Sequence, residues 1–291
     1  MQDLDLLILG AGWTSTFLIP LLKSQNLTFA ATTRDGRKVA GVETIKWSFD
    51  PDEKKDSTTT TKEKSQFAAL PSAKHILITF PLTGPGQSSQ LVHGYSKAQG
   101  KGNHDVRFIQ LGSTGIWQIP QSSLWVDRKS PYDTTNKRAV AEDELLTLGG
   151  CVLNLAGLHG GERDARKWVD RVAKTKEDVR NKKSVHLIHG VDVARAVVAV
   201  MGNWISSQSQ RYMLTDGLVY DWWTLFAGWA EGDREDEDPS REPSEQAKWV
   251  YELMTEERVQ ALPRSMQTLG RCYDSRDFWS TFSLAPLKAR I

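Results

Sequence analysis

A chain of 291 residues with 37 basic and 36 acidic side chains carries a formal net charge of +1, which gives no electrostatic reason to expect nucleic acid or an acidic membrane as partner. Its two cysteines, Cys151 and Cys272, suggest neither a disulfide framework nor a Cys-based zinc site, and its six histidines lack a metal-ligand spacing such as His-Glu-x-x-His, so no metal is expected. No stretch reaches the roughly 18 unbroken apolar residues of a membrane span, no basic segment precedes the apolar run that opens by Leu4, and the expected location is cytoplasmic. The terminal Ala289-Arg290-Ile291 loosely resembles the Ser-Lys-Leu peroxisomal address, a weaker alternative.

In chain order, apolar runs of strand length alternate with helical patterns. Residues 5–10 (DLLILG) read as a strand, 13–25 (WTSTFLIPLLKSQ) as a helix and 27–34 (LTFAATTR) as a strand. Residues 75–82 and 106–113 are further buried-strand candidates; 134–150 has threonines at its start and glycines at its end, as a helix does, and 151–158 is one more strand. Short apolar strands separated by helices predict an α/β fold with a doubly wound parallel sheet. Pro20 falls inside the first helix and should remove a hydrogen bond near Thr16. The polar, low-complexity 51–66 and the charged 231–246 read as solvated surface loops.

The turn after the first strand is Gly10-Ala11-Gly12-Trp13-Thr14-Ser15. A dinucleotide fingerprint, G-x-G-x-x-G, uses its first glycine for a tight turn, its second for backbone approach to a pyrophosphate and its third for close helix–strand packing. Gly10 and Gly12 meet the two demands that touch the ligand; Ser15 takes the packing position and is small. The helix beginning at Trp13 and Thr14 would point its free N–H groups at a phosphate. At the end of the second strand Arg34 holds the first position, with Arg37 within reach and Asp35 one residue late. Guanidinium matches a 2′-phosphate, so the expected cofactor is NADP, with NAD left open.

The whole chain resembles an atypical member of the extended short-chain dehydrogenase/reductase superfamily, close to the NAD-dependent epimerase/dehydratase-like group whose loop reads Gly-x-Gly-Trp and to fungal proteins of that type. The resemblance is carried by GAGW (10–13), TTR (32–34), ITFPL (78–82), LGSTGIW (111–117), NLAGLHGGER (154–163), HLIHGVDVARAV (186–197) and YMLTDGLVYDWWTL (212–225), in the family's order. It implies a dinucleotide-binding Rossmann domain over 1–156 and a smaller C-terminal substrate lobe over 157–291, with 185–216 returning to the Rossmann core. It also leaves room for a homodimer.

Active members of that superfamily use a Ser or Thr after the fifth strand, then Tyr-x-x-x-Lys. By resemblance Ser113 takes the serine place, with Thr114 beside it. Tyr132 and Lys137 are five positions apart, not four, which on one regular helix rotates the lysine about 140° from the tyrosine. Either Tyr132 precedes the helix and Lys137 returns beneath it, or Glu142 aligns with the family's acidic residue. Arg138 then takes the lysine place and Thr134 the tyrosine place. In the resemblance His159 stands where relatives often have tyrosine, Arg163 matches an arginine that faces the diphosphate in nucleotide-sugar enzymes, and Asn154 stands where an arginine is common. Trp117 and His159 leave the C-terminal edge of the sheet, where open α/β sheets bind ligands, and with Arg163 they are the substrate candidates. His189 and Asp192 are expected to organise a helix start. The aromatic run from Tyr220 to Trp229 is expected to be core.

Three functions remain open on these grounds: an NADP-dependent oxidoreductase for a small carbonyl or alcohol, a nucleotide-sugar epimerase or dehydratase, and a catalytically eroded NADP(H)-binding sensor.

Overall fold

Period-two alternation in the opening strand builds the two faces of the central sheet. Along Leu4–Leu9, Leu6 and Ile8 point to one side and Leu7 and Leu9 to the other, as successive strand side chains must. The first pair packs with Leu18, Ile19 and Leu22 of the helix Trp13–Ser24 and with Val193, Val197 and Val200 of the helix Gly190–Gly202. The second pair packs with Leu91, Val92 and Tyr95 of the helix Gln87–Ala98 and with Leu145 of the helix Lys137–Thr147. Helices on both faces explain why these strands read as continuous apolar runs.

The computed structural model describes residues 3–52, 65–102, 105–231, 240 and 242–289. Its main sheet has seven parallel strands in the spatial order 211–214, 151–155, 107–113, 73–78, 4–9, 29–33 and 45–46. The strand Leu4–Leu9 is flanked by Phe29–Thr33 on one side and by Ala73–Ile78 on the other. Connections leave this strand in opposite directions, so a crevice opens at the C-terminal ends of Leu4–Leu9 and Ala73–Ile78, where open α/β sheets take their ligands. This is the doubly wound sheet expected from the sequence.

Several boundaries differ from the sequence reading, each for a local reason. The strand expected over 75–82 stops at Ile78, because Thr79 turns its hydroxyl back onto the carbonyls of Leu9, at 3.0 Å, and Gly10. The helix expected from 134 starts at Lys137, since the Asn136 carboxamide accepts the Arg138 N–H at 3.0 Å while Thr135 is tied to Asp133. The run 151–158 is two strands: Cys151–Leu155 belongs to the main sheet, and Gly157–His159 leaves it to pair with Leu187–His189. Pro20 lies within the first helix, which continues to Ser24, and the Thr16 hydroxyl bonds back to the Trp13 carbonyl at 2.7 Å. Of the two expected surface loops, 53–64, 232–239 and 241 lie outside the described residues, as do 290 and 291 of the terminal tripeptide.

The smaller lobe has its own core of Trp222, Trp223, Phe226, Val250 and Leu253, so most of the tryptophan-rich run is packing. Asp221 and Arg264 form a buried ion pair at 2.7 Å, and the guanidinium lies 3.9 Å from the Trp223 ring. No helix among the described residues is long and apolar enough to cross a membrane.

Candidate functional site

The turn after the first strand is built for close approach. Gly10 adopts φ +82°, and a β-carbon there would meet the Phe80 ring at 2.9 Å. Its N–H donates to the Thr32 hydroxyl at 3.0 Å, and the Ala11 N–H donates to the Thr32 carbonyl at 2.7 Å. Gly12 faces open space, with nothing nearer its missing β-carbon than the Gly10 carbonyl at 3.9 Å. Ser15 is fully buried between helix and strand and its hydroxyl has no partner, so a small side chain fits where the fingerprint has its third glycine.

Two cavities meet on this turn. One, of about 570 Å³, is bordered by Arg34 and Arg37 and walled by Trp47, Phe49 and Phe80. The other, of about 380 Å³, is bordered by Trp13, Thr14, Ser113, Arg138 and Arg163. Gly10, Gly12, Thr79 and Pro81 line both, so the two form one groove across the sheet edge. Arg34 is exposed and has no ion-pair partner among the described residues, whereas Arg37 pairs with Asp35 at 3.1 Å. The aromatic walls Trp47, Phe49 and Phe80 and the Thr79 clasp escaped the sequence reading. Lys46-Trp47-Ser48-Phe49 has no motif, and Thr79 sits inside an apolar run.

Ser113 ends the strand Arg107–Ser113 and its Oγ accepts the Gly115 N–H at 3.1 Å. Thr114, Tyr132, Lys137 and Trp117 do not join it. Thr114 is buried outside the cavity, where its carbonyl accepts the Tyr273 hydroxyl at 3.2 Å. Trp117 is fully buried, donates from its indole to the Ser130 carbonyl at 3.1 Å, and packs edge-on to Tyr132. Tyr132 precedes the helix, donates its hydroxyl to Asp143 at 2.8 Å and lies 4.6 Å beneath the Arg211 guanidinium. Burial, then the bond to Asp143, pushes this phenol upward, the opposite of what a working acid/base needs. Lys137 is exposed and borders neither half of the groove, while Arg138 does line it.

Beneath Ser113 lies a buried polar cluster. The Asn154 amide donates to Glu142 at 2.9 Å and to the Ser113 carbonyl at 3.1 Å, and Arg211 reaches Glu142 at 3.1 Å and Asp143 at 3.0 Å. Burial pushes the Glu142 carboxyl up, against the pull of Asn154 and Arg211. Arg211 supplies the cation from a distant strand, which local sequence around Asn154 could not reveal.

His159 and Arg163 sit on the far rim. His159 is buried, and burial together with His189 pushes its imidazole down to about 4. His159 borders a separate cavity of about 330 Å³, and Arg163 borders both that cavity and the one containing Ser113. The Trp13 indole donates to the Gly160 carbonyl at 2.9 Å and carries the Arg163 guanidinium 4.6 Å over its ring. His189 caps its helix by accepting the Val191 N–H at 3.1 Å. Asp192 is fully buried, pairs with Arg195 at 2.7 Å and accepts the Leu287 and Lys288 N–H groups.

The strand order, with the glycine turn at the point where it reverses, is that of a doubly wound Rossmann-type α/β fold. No protein-family model and no curated protein matches the chain. Among solved structures, vestitone reductase from alfalfa is similar at 15% identity and TM-score 0.63, over 98% of this chain and 94% of that one. A putative NAD-dependent epimerase/dehydratase from Methylobacillus flagellatus is 16% identical at TM-score 0.57, over 96% and 92% of the two chains. A short-chain dehydrogenase/reductase superfamily protein from Agrobacterium tumefaciens with bound NAD is 11% identical at TM-score 0.59, over 98% and 93%.

Proposed function

We propose that the protein is an NADP-dependent oxidoreductase of the extended short-chain type, acting on a small carbonyl or alcohol. One observation carries this reading: the groove runs unbroken from Arg34, past Gly10 and Gly12, to Ser113 and Arg138. The bound NAD in the Agrobacterium structure supports a nicotinamide dinucleotide as the cofactor class. The residues present fit such a group. The open face of Gly12 and the helix N-terminus beside it suit a pyrophosphate, the Trp47–Phe49–Phe80 wall suits a flat base, and Arg34, which has no ion-pair partner among the described residues, suits a 2′-phosphate.

The cofactor, when bound, supplies or accepts the hydride. Ser113 accepts a bond from the Gly115 N–H, so its own hydroxyl proton is free to polarise a substrate oxygen. Arg138 and Arg163 border the same cavity and favour negative charge developing there. Because Tyr132 is held by Asp143, the proton that completes an alcohol comes from water in the cleft.

The test is a titration with NADPH and NADH, followed by nucleotide fluorescence, alongside Arg34→Ala. The expected result is preference for NADPH, weakened at least about tenfold in the variant, the worth of roughly one charge-assisted contact. Preference for NADH overturns the Arg34 assignment, and failure to bind either overturns the whole reading. The position of Tyr132 favours a second reading, a non-catalytic NADP(H) sensor. Turnover of any substrate in a carbonyl panel that is lost in Ser113→Ala, with NADPH binding retained, rules the sensor out.

A further inference from the structure

The cavity that borders His159 has no part in the cofactor groove, yet Arg163 joins the two. Two guanidinium groups, Arg163 and Arg166, line it, and neither has a carboxylate partner among the described residues. The one acidic group in the lining, Asp164, uses an oxygen to accept the Arg166 backbone N–H at 2.9 Å, capping a short turn. His159 and His189 complete the polar side, and burial lowers the pKa of each, so both rings are neutral at neutral pH. The lining is therefore net positive. Trp229, expected to be core, forms an aromatic wall of this cavity.

The position of Arg163 is fixed rather than incidental. Its backbone closes a tight turn with Gly160 through N–H···O bonds of 2.7 and 3.1 Å, with Gly160 at φ +106° and Gly161 at φ +57°. The Trp13 indole ties down the same turn at Gly160 and faces the guanidinium, an interaction that orients a cation. Thus the residue that starts the helix at the pyrophosphate turn also orients the arginine shared by the two cavities. At about 330 Å³ the second cavity is at the small end of ligand pockets.

We propose that this cavity is an anion subsite, and that the substrate is a small carbonyl or alcohol compound bearing a carboxylate or phosphate. Its charged end lies between Arg163 and Arg166, and its reacting carbon lies in the adjoining cavity at Ser113. Planar guanidinium forks bind both head groups through paired, charge-assisted bonds, and an anion bound at Arg163 spans the boundary of the two cavities. The placement of the reacting carbon rests on the oxidoreductase reading; the anion subsite does not.

The experiment is calorimetric titration of the full chain with two probes, oxamate and inorganic phosphate, each with and without NADPH, in wild type and Arg166→Gln. Arg166 is exposed, so the variant is expected to fold, and an unchanged NADPH titration confirms it. Saturable binding of either probe, weakened at least tenfold by Arg166→Gln, supports the subsite, and the probe that binds tighter names the head group. Absence of binding by both, or binding that Arg166→Gln leaves unchanged, overturns it, and the second outcome also covers phosphate captured at Arg34. Probe binding that depends on Arg166 in a protein that takes up neither NADPH nor NADH keeps the subsite and removes the oxidoreductase reading.

Discussion

Gly10 and Gly12 lie two positions apart and are glycines for different reasons, which separates stability from binding at single positions. At Gly10 a β-carbon meets a left-handed backbone and the Phe80 ring 2.9 Å away. Gly10→Ala should therefore lower stability by about 1–3 kcal/mol in urea unfolding, the ordinary range for such strain. At Gly12 the β-carbon direction is open and φ is −135°, so Gly12→Asp should unfold within about 1 kcal/mol of wild type. Its carboxylate would stand where the dinucleotide phosphates are proposed, and NADPH binding should be lost. If Gly12→Asp binds NADPH normally, the phosphates lie elsewhere. The glycine spacing was legible in the sequence because the demand is local. The orientation of Tyr132 was not, since its partners Asp143 and Arg211 lie 11 and 79 positions further along.

Elements place charged groups that no single segment would keep buried. The loop after the strand Arg211–Leu214 holds Asp216, whose carboxylate accepts the Tyr220 hydroxyl at 2.6 Å and the Leu218 N–H at 3.0 Å. Burial pushes this carboxyl up to about 6, partly offset by those bonds. A raised carboxyl holds its proton more tightly in the folded state than in the unfolded one. Its contribution to stability is therefore full below about pH 4 and is lost as pH rises through about 6. The loss amounts to roughly 3 kcal/mol for a shift of about two units. Asp216→Asn keeps an acceptor for Tyr220, so the variant should be more stable than wild type above pH 6 and should flatten the stability profile between pH 4 and 6. Urea unfolding across that range measures it, and parallel profiles for the two proteins would count against a perturbed Asp216. The Glu142–Asn154–Arg211 cluster is the same lesson in a different place: helix, strand and strand each supply one member, and the strand end carrying Ser113 rests on it.

Across the whole molecule, the two lobes are held by different means. The Rossmann core is apolar on both faces of the sheet. The smaller lobe adds an exposed ion network in which Lys176 bridges Glu252 and Glu256, each at 2.6 Å, and Arg180 reaches Glu256 and Glu257. Solvent screens such pairs, so Lys176→Ala should leave the urea-unfolding midpoint nearly unchanged. A marked drop would mean that the network docks the helices. NADPH bound across the groove should stabilise the whole chain, by about 2.7 kcal/mol at one hundred times its Kd, which a thermal melt with and without nucleotide reads directly.

The sequence by itself determined the parallel sheet, the glycine turn and the arginine at the end of the second strand. These depend on periodicity and on residues near one another in the chain. The family resemblance placed Ser113 at its strand end. Only the tertiary structure decided which side chains share the cleft. It turned Trp117 and Tyr132 inward, left Arg138 at the groove, and joined Trp13 to Arg163 across 150 positions. It also brought Trp229 to a cavity wall. The physical reason is that side-chain direction at the end of a strand is set by whichever buried partner satisfies it, and those partners come from elements distant in sequence.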